Sequence, residues 1–200
     1  APLERLLAEL LRRAIAAGVD WIQIREKDLS GRRLSELVRD AIAAAAGTST
    51  RILVNDRLDI ALGLGAAGVH LGEESVPVAE VIRWRKSDPA RRSFLVGASC
   101  HSFAAAQQAE RDGADYIFFG PVFDTPAKRE FGPPQGLERL ADVCRAVRIP
   151  VLAIGGITLE NSASCLRSGA AGLAAIRLFQ ESFDFLAAVA QLRSGFSPIR

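Results

Sequence analysis

Apolar residues along this chain come in short unbroken runs, at 21–24, 52–54, 69–71, 94–96, 116–119, 151–154 and 173–176. A strand with one face in water would alternate apolar and polar positions. Unbroken runs predict parallel strands covered on both faces. Between them, residues 3–17, 34–46, 78–86, 103–111, 137–147, 160–168 and 183–192 carry Ala and Leu at helical spacing. Gly18, Gly65, Gly113 and Gly169 stand just ahead of strands, where a residue tolerant of the left-handed conformation ends the preceding helix. Seven strands and seven helices, at about 29 residues per repeat, fit successive βα units. The chain opens on a helical segment, so one more strand before Ala1 would make eight and close a (β/α)8 barrel. That architecture is expected to occupy residues 1–200 as one domain. The competitor is a doubly wound open sheet, but no GxGxxG or GxxxxGK[ST] loop follows any early strand.

Composition narrows the class without changing it. Hydrophobic residues make up 49% and charged residues 24%, which excludes a disordered or collagen-like chain. Lys and Arg number 25 against 23 Asp and Glu, a net charge of +2, too balanced for a protein that works on the nucleic-acid backbone. No apolar run approaches the roughly 18 residues of a membrane span, and no signal-peptide pattern is present. Cys100, Cys144 and Cys165 are an odd number, widely spaced and without a CxxC pair. Free thiols in a reducing cytoplasm are expected.

A barrel carries its chemistry where strands end and βα loops begin. Behind the first apolar run, Gln23, Arg25 and Lys27 alternate, so in extended chain they would share one face. Two cations that close repel one another unless an anion joins them, which predicts an anionic ligand. Asn55 and Asp56 close the next run, either as caps of a following helix or as oxygen ligands that bring Mg²⁺ to a phosphate. Lys128, in the loop from Gly120 to Arg129, would add a third cation. Gly155, Gly156 and Thr158 read either as a phosphate-binding turn using backbone N–H groups or as a tight turn capped by Thr158. His70 and His101 lack an evident orienting carboxylate and are expected to be structural. No nucleophile stands beside a base. Two phosphate-bearing ligands, with electrostatic displacement of a diphosphate, are the chemistry these residues suggest.

Taken in order, Gln23-Ile24-Arg25-Glu26-Lys27, Asn55-Asp56-Arg57, Gly68-Val69-His70-Leu71-Gly72, Gly120-Pro121-Val122-Phe123 and Ala153-Ile154-Gly155-Gly156-Ile157 resemble the thiamine-phosphate synthase family. The resemblance spans residues 21–179. It implies a transferase that joins 4-amino-5-hydroxymethyl-2-methylpyrimidine diphosphate to a thiazole phosphate with Mg²⁺, releasing diphosphate. By matching position, Gln23 would contact the pyrimidine, while Arg25, Lys27, Asn55 and Lys128 would hold its diphosphate. Ser99 would lie at the pyrimidine side of the reacting centre, and Arg25, Lys27, Ser99 and Lys128 would form the catalytic set. Thr125, Pro126, Ala127, Gly156, Ile176 and Arg177 would lie on the thiazole phosphate side. Asp56 and position 75 would hold the metal. Three positions depart from the family pattern. Gly-Gln-Glu-Asp reads Gly72-Glu73-Glu74-Ser75, Thr-x-Thr-Lys reads Thr125-Pro126-Ala127-Lys128, and Val-Ser reads Ile176-Arg177. Other readings are the sister thiazole tautomerase, a non-catalytic ligand-binding paralogue motivated by Ser75 and Arg177, and an unrelated phosphate-binding barrel isomerase. The tautomerase carries a proton-transferring histidine where this chain has Pro121, and lacks the full Gln-x-Arg-x-Lys set. The implied partners are small molecules, with neither nucleic acid nor membrane among them, and homo-oligomerisation is left open.

Overall fold

A computed structural model describes residues 2–125 and 133–195. It contains one sheet of seven parallel strands, β1 (Trp21–Ile24), β2 (Arg51–Asn55), β3 (Gly68–Leu71), β4 (Leu95–Cys100), β5 (Tyr116–Phe119), β6 (Val151–Ile154) and β7 (Gly172–Ala174). Strand order in the sheet is the order in the sequence, without the reversal that defines a doubly wound sheet. The helices are α1 (Pro2–Ala16), α2 (Gly31–Ala45), α3 (Leu58–Leu64), α4 (Val78–Lys86), α5 (Phe103–Asp112), α6 (Gly136–Ala146), α7 (Leu159–Arg167), α8 (Arg177–Gln180) and α9 (Phe185–Ser194), with a 3-10 turn at Pro89–Arg91.

The outer layer closes into a ring. Helix α1 packs on α2 on one side and on α8 and α9 on the other. At that closure Ala17, Phe185 and Val189 are buried together, and the Arg13 guanidinium lies 4.2 Å over the Phe185 ring while donating to the carbonyls of Ser182 and Phe183. β1 and β7 remain the two edges of the sheet among the described residues. The expected (β/α)8 architecture is therefore present as seven strand positions inside a closed helical layer, a TIM-type α/β fold.

Side chains sort by the two-residue period of the strands. Ile24, Ile52, Val54, Val69, Leu71, Val96, Ile117, Phe119 and Val151 point outward into two buried clusters under the helices. Trp21, Leu53, Leu95, Tyr116, Phe118, Leu152, Ile154 and Ala174 point inward and fill the barrel. Gly65 and Gly113 end α3 and α5 in the left-handed conformation (φ 69° and 90°), as their places before β3 and β5 predicted.

Several boundaries and two helices differ from expectation. The apolar run at 94–96 is only the start of β4, which continues through Ala98, Ser99 and Cys100. Small residues hide that extension. Gly65 marks a helix end, but the body of α3 is not among the expected helical segments, because it is seven residues long and contains Gly63. β7 stops at Ala174, two residues short of the run at 173–176, and the four-residue α8, also unexpected, follows from Arg177. Among the described residues no helix is long and apolar enough to cross a membrane.

Candidate functional site

Four inward positions above the apolar floor are polar: Gln23 on β1, Asn55 on β2, His70 on β3 and Ser99 on β4. Strand register sets their heights, pairing Asn55 with His70, His70 with Gly97 and Ser99 with Phe118. The Gln23 amide donates through Nε2 to Asn55 Oδ1 at 2.8 Å. Its other end, Oε1, is buried and has no partner among the described residues. A buried acceptor left bare costs about 1–3 kcal/mol, so a ligand N–H at this point would remove a standing penalty.

His70 is 1% exposed, stacks 4.2 Å from the Phe118 ring, and places Nε2 2.9 Å from Ser99 Oγ and Nδ1 3.2 Å from the Tyr116 hydroxyl. Burial, reinforced by the charge of Arg25, pushes its pKa down to about 3. It is a neutral hydrogen-bonding group at physiological pH, in agreement with the structural role expected for it. Tyr116, which sequence reasoning missed, is wholly buried, and burial lifts its phenol above the ordinary tyrosine range. Its ring lies where a side chain on Gly97 would overlap it, so the glycine is what lets the two strands carry the pair.

The cationic segment lies above this layer. Gln23 belongs to β1, Arg25 follows immediately after the strand, and Lys27 sits in the turn before Ser30 caps α2. The extended face expected for all three therefore covers Gln23 and Arg25 only. Arg25 and Lys27 are exposed and make no hydrogen bond or ion pair among the described residues. Glu26 between them is raised above the usual carboxylate range, by burial first and by Asp28 second.

Asp56 adopts the left-handed conformation (φ 65°), rare for any residue but glycine. Its N–H reaches back to the His70 carbonyl at 2.8 Å, locking the end of β2 to β3. The capping alternative is ruled out for Asp56, since α3 is capped at Arg57 without a side-chain bond. The carboxylate instead accepts from Ser75 Oγ at 2.5 Å, and Ser75 Oγ accepts from the Gly72 N–H at 2.7 Å. Strain at a non-glycine residue that places a carboxylate outward marks a candidate site. One carboxylate and one hydroxyl, with no cluster of three His, Cys, Asp or Glu among the described residues, fit Mg²⁺ held jointly with phosphate oxygens.

On the far side, the loop after β5 and the turn after β6 are joined through the backbone. Val122 N–H donates to the Ile154 carbonyl and Phe123 N–H to the Gly155 carbonyl. Gly155 and Gly156 both take positive φ (93° and 67°), and a side chain on Gly156 would press on the Asp124 carbonyl. Thr158 is the cap of α7, in a reciprocal pair with Asn161. The capping alternative thus holds for Thr158, while the Gly156 N–H keeps no partner among the described residues. Thr125, which follows Asp124 in the loop after β5, is half-buried. Ile176 and Arg177 begin α8, both exposed, and Arg177 makes no hydrogen bond or ion pair among the described residues. Pro126, Ala127 and Lys128 lie outside the described residues. His101 points Nδ1 at the Gly120 carbonyl, 2.5 Å away, a structural bond. The three cysteines are free, Cys100 and Cys165 buried and Cys144 half-buried.

The described sequence-predicted residues thus gather at the carboxyl ends of the strands, where Gln23 with Asn55 and His70 with Ser99 form two bonded interior pairs, and Asp56 and Ser75 form a third pair beyond the strands. The whole chain is similar to known proteins. The thiamine-phosphate synthase of Roseiflexus castenholzii is 43% identical over 173 residues, 86% of this chain and 74% of its own length. That of Methanocella arvoryzae is 41% identical over 192 residues, 96% of this chain and 88% of its own. The solved thiamine phosphate pyrophosphorylase of Pyrococcus furiosus superposes with a TM-score of 0.82 at 33% identity, covering 94% of this chain and 88% of that one. A 3-hexulose-6-phosphate synthase, at 18% identity and a TM-score of 0.72, shares the fold. The family model for thiamine monophosphate synthase matches residues 2–179, and the chain belongs to that family.

Proposed function

We propose that this transferase joins 4-amino-5-hydroxymethyl-2-methylpyrimidine diphosphate to a thiazole phosphate. The bond from the pyrimidine methylene carbon to the diphosphate oxygen breaks, the thiazole nitrogen bonds to that carbon, and diphosphate leaves with the electron pair. The observation that carries the reading is the buried Gln23 Oε1, without a partner among the described residues, an acceptor of the kind an aminopyrimidine N–H satisfies, fixed by Asn55 near two cations that are likewise unpaired among them. Arg25 and Lys27 stabilise the charge that gathers on the departing oxygens, with Lys128 assigned to the same task by family position. Asn55 orients the recognising amide, and Ser99 borders the reacting centre. The Gly156 N–H, Thr125, Pro126, Ala127, Ile176 and Arg177 are assigned to the thiazole phosphate, which holds the nucleophile in line.

Asp56 and Ser75 would hold Mg²⁺, which supplies charge neutralisation at the diphosphate. No general base is required, because the ring nitrogen attacks with its own lone pair. Three free thiols and the lack of a membrane-spanning helix among the described residues support a place in the cytoplasm. The test is mass spectrometry of the product formed from both substrates with Mg²⁺. Thiamine phosphate is expected. Tight binding of either substrate without product would establish instead the non-catalytic reading.

A further inference from the structure

The barrel interior contains a line of three bonded groups, Tyr116 hydroxyl to His70 Nδ1 and His70 Nε2 to Ser99 Oγ, at 3.2 and 2.9 Å. A neutral imidazole donates from one nitrogen and accepts at the other, so the line has only two possible directions. If Nδ1 carries the hydrogen, it donates to the phenol oxygen and Ser99 donates to Nε2. The phenolic hydrogen of Tyr116, wholly buried and with no other partner among the described residues, then has nothing to donate to. If Nε2 carries the hydrogen, Tyr116 donates to Nδ1, Nε2 donates to Ser99, and every buried hydrogen is used. The second direction avoids one stranded buried donor. It also leaves the Ser99 hydrogen unclaimed on a half-buried residue near the carboxyl end of β4.

We infer that Tyr116 and His70 are positioning residues that fix Ser99 as a one-way hydrogen-bond donor to the bound pyrimidine diphosphate. This rests on the function proposed above and extends it to two residues in the barrel interior. With Gln23 Oε1 as a bare acceptor and Ser99 as a bare donor, the upper layer offers the ligand one group of each kind. Gly97 is part of the device, because a side chain there would overlap the Tyr116 ring.

The chain has only two histidines, which makes the direction measurable. In ¹⁵N imidazole spectra at alkaline pH, where a free imidazole is neutral, His70 is expected as the Nε2–H tautomer. His101, donating from Nδ1 to a carbonyl, is expected as the opposite tautomer, and His101→Asn assigns the signals. An Nδ1–H or averaged His70 overturns the inference. In steady-state kinetics Ser99→Ala is expected to lower kcat/KM for the pyrimidine diphosphate about tenfold, and Tyr116→Phe about fivefold, the loss of one oriented hydrogen bond. Tyr116→Phe added to Ser99→Ala is expected to change kcat/KM by less than about twofold, whereas independent, multiplying losses overturn the inference. Ser99→Thr, which keeps a hydroxyl, is expected to recover most of the rate. If Tyr116→Phe does not fold, the spectrum of the unaltered protein decides alone. Failure of the unaltered protein to form product would refute the proposed function, and the His70 tautomer is read without turnover.

Discussion

Replacing Ser75 with aspartate tests where the metal sits. Ser75 Oγ lies 2.5 Å from Asp56 Oδ1, so a carboxylate at position 75 would place a second negative charge about 4 Å from the first. At that separation the repulsion is about 1 kcal/mol in water and about 4 at an effective dielectric of 20. Asp56 is exposed and Ser75 half-buried, so solvent screening puts the value near the lower figure, about 1 kcal/mol. In EDTA the Ser75→Asp melting temperature is therefore expected to fall by about 2–4 °C, the usual shift for 1 kcal/mol at this chain length. A divalent cation between the carboxylates turns that repulsion into attraction. Mg²⁺ alone is expected to restore the variant's melting temperature while shifting the unaltered protein little, since that protein offers it one carboxylate and a hydroxyl. The Mg²⁺ concentration giving half-maximal rate should fall about fivefold, as relief of roughly 1 kcal/mol requires. Scanning fluorimetry with EDTA or Mg²⁺, and rate against Mg²⁺, measure both. Equal melting temperatures in EDTA together with an unchanged Mg²⁺ midpoint would refute the pairing of Asp56 with position 75.

Arg25→Ala and Lys27→Ala are each expected to cut kcat about 100-fold or more while leaving the melting temperature within about 1 °C, because both side chains are exposed and unbonded. Near-normal kcat in both would remove them from the mechanism. Gly97→Ala is expected to cost about 2 kcal/mol, by chemical denaturation, because its methyl group overlaps the Tyr116 ring in a filled interior. Burial pushes Cys100 up to about 12 and Cys144 and Cys165 up to about 11, so at pH 8 no more than about one thiol in a thousand is thiolate. Iodoacetamide labelling of the native protein should thus be slow, rise about tenfold per pH unit toward pH 11 while the fold holds, and reach all three cysteines on denaturation. Labelling of any one at the rate of a free thiol at pH 8 contradicts this. Arg177→Ser is expected to raise KM for the thiazole phosphate more than for the pyrimidine diphosphate, since the guanidinium at the start of α8, unpaired among the described residues, suits a phosphate. Improved thiazole affinity would mark Arg177 as an obstruction.

How far the sequence discloses the fold depends on the kind of residue that builds each element. Tyr116–Phe119 is a buried strand of large apolar residues and Val151–Ile154 an apolar run in which Ala153 alone is small, and the limits of both are readable residue for residue. β4 is also buried along most of its length but runs through Gly97, Ala98 and Ser99, with Gly97 small because the Tyr116 ring takes up the space. Hydrophobic runs measure side-chain bulk, and bulk is what this strand gives up to its neighbour. α3 escapes for a different reason. Seven residues make too few turns to show a period, and its cap is Arg57, whose guanidinium pairs with Asp59 instead of signalling a helix start. Site residues that carry charge at strand ends, such as Arg25 and Asp56, are legible because charge after an apolar run is conspicuous. Tyr116 is not, because it reads as one more apolar residue, and its meeting with His70, 46 positions away, exists only through the registers of β3, β4 and β5.

The two tiers of the site answer to different constraints. Gln23, Asn55, His70 and Ser99 stand on strands beside the inward cluster of Trp21, Leu53, Leu95 and Tyr116, so their positions are set by a close-packed interior. Arg25, Lys27 and Asp56 stand on the first residues beyond the strands, exposed to solvent. A neutral ring is recognised by a few directed hydrogen bonds, which lose most of their value if donor and acceptor shift by a fraction of an ångström. A diphosphate is recognised through long-range charge, which tolerates such shifts. The arrangement therefore puts directional contacts where the fold is least able to move and charge where loops can follow the ligand. Interior substitutions must then lower stability and ring affinity together, whereas those at the rim act on turnover and leave stability nearly untouched.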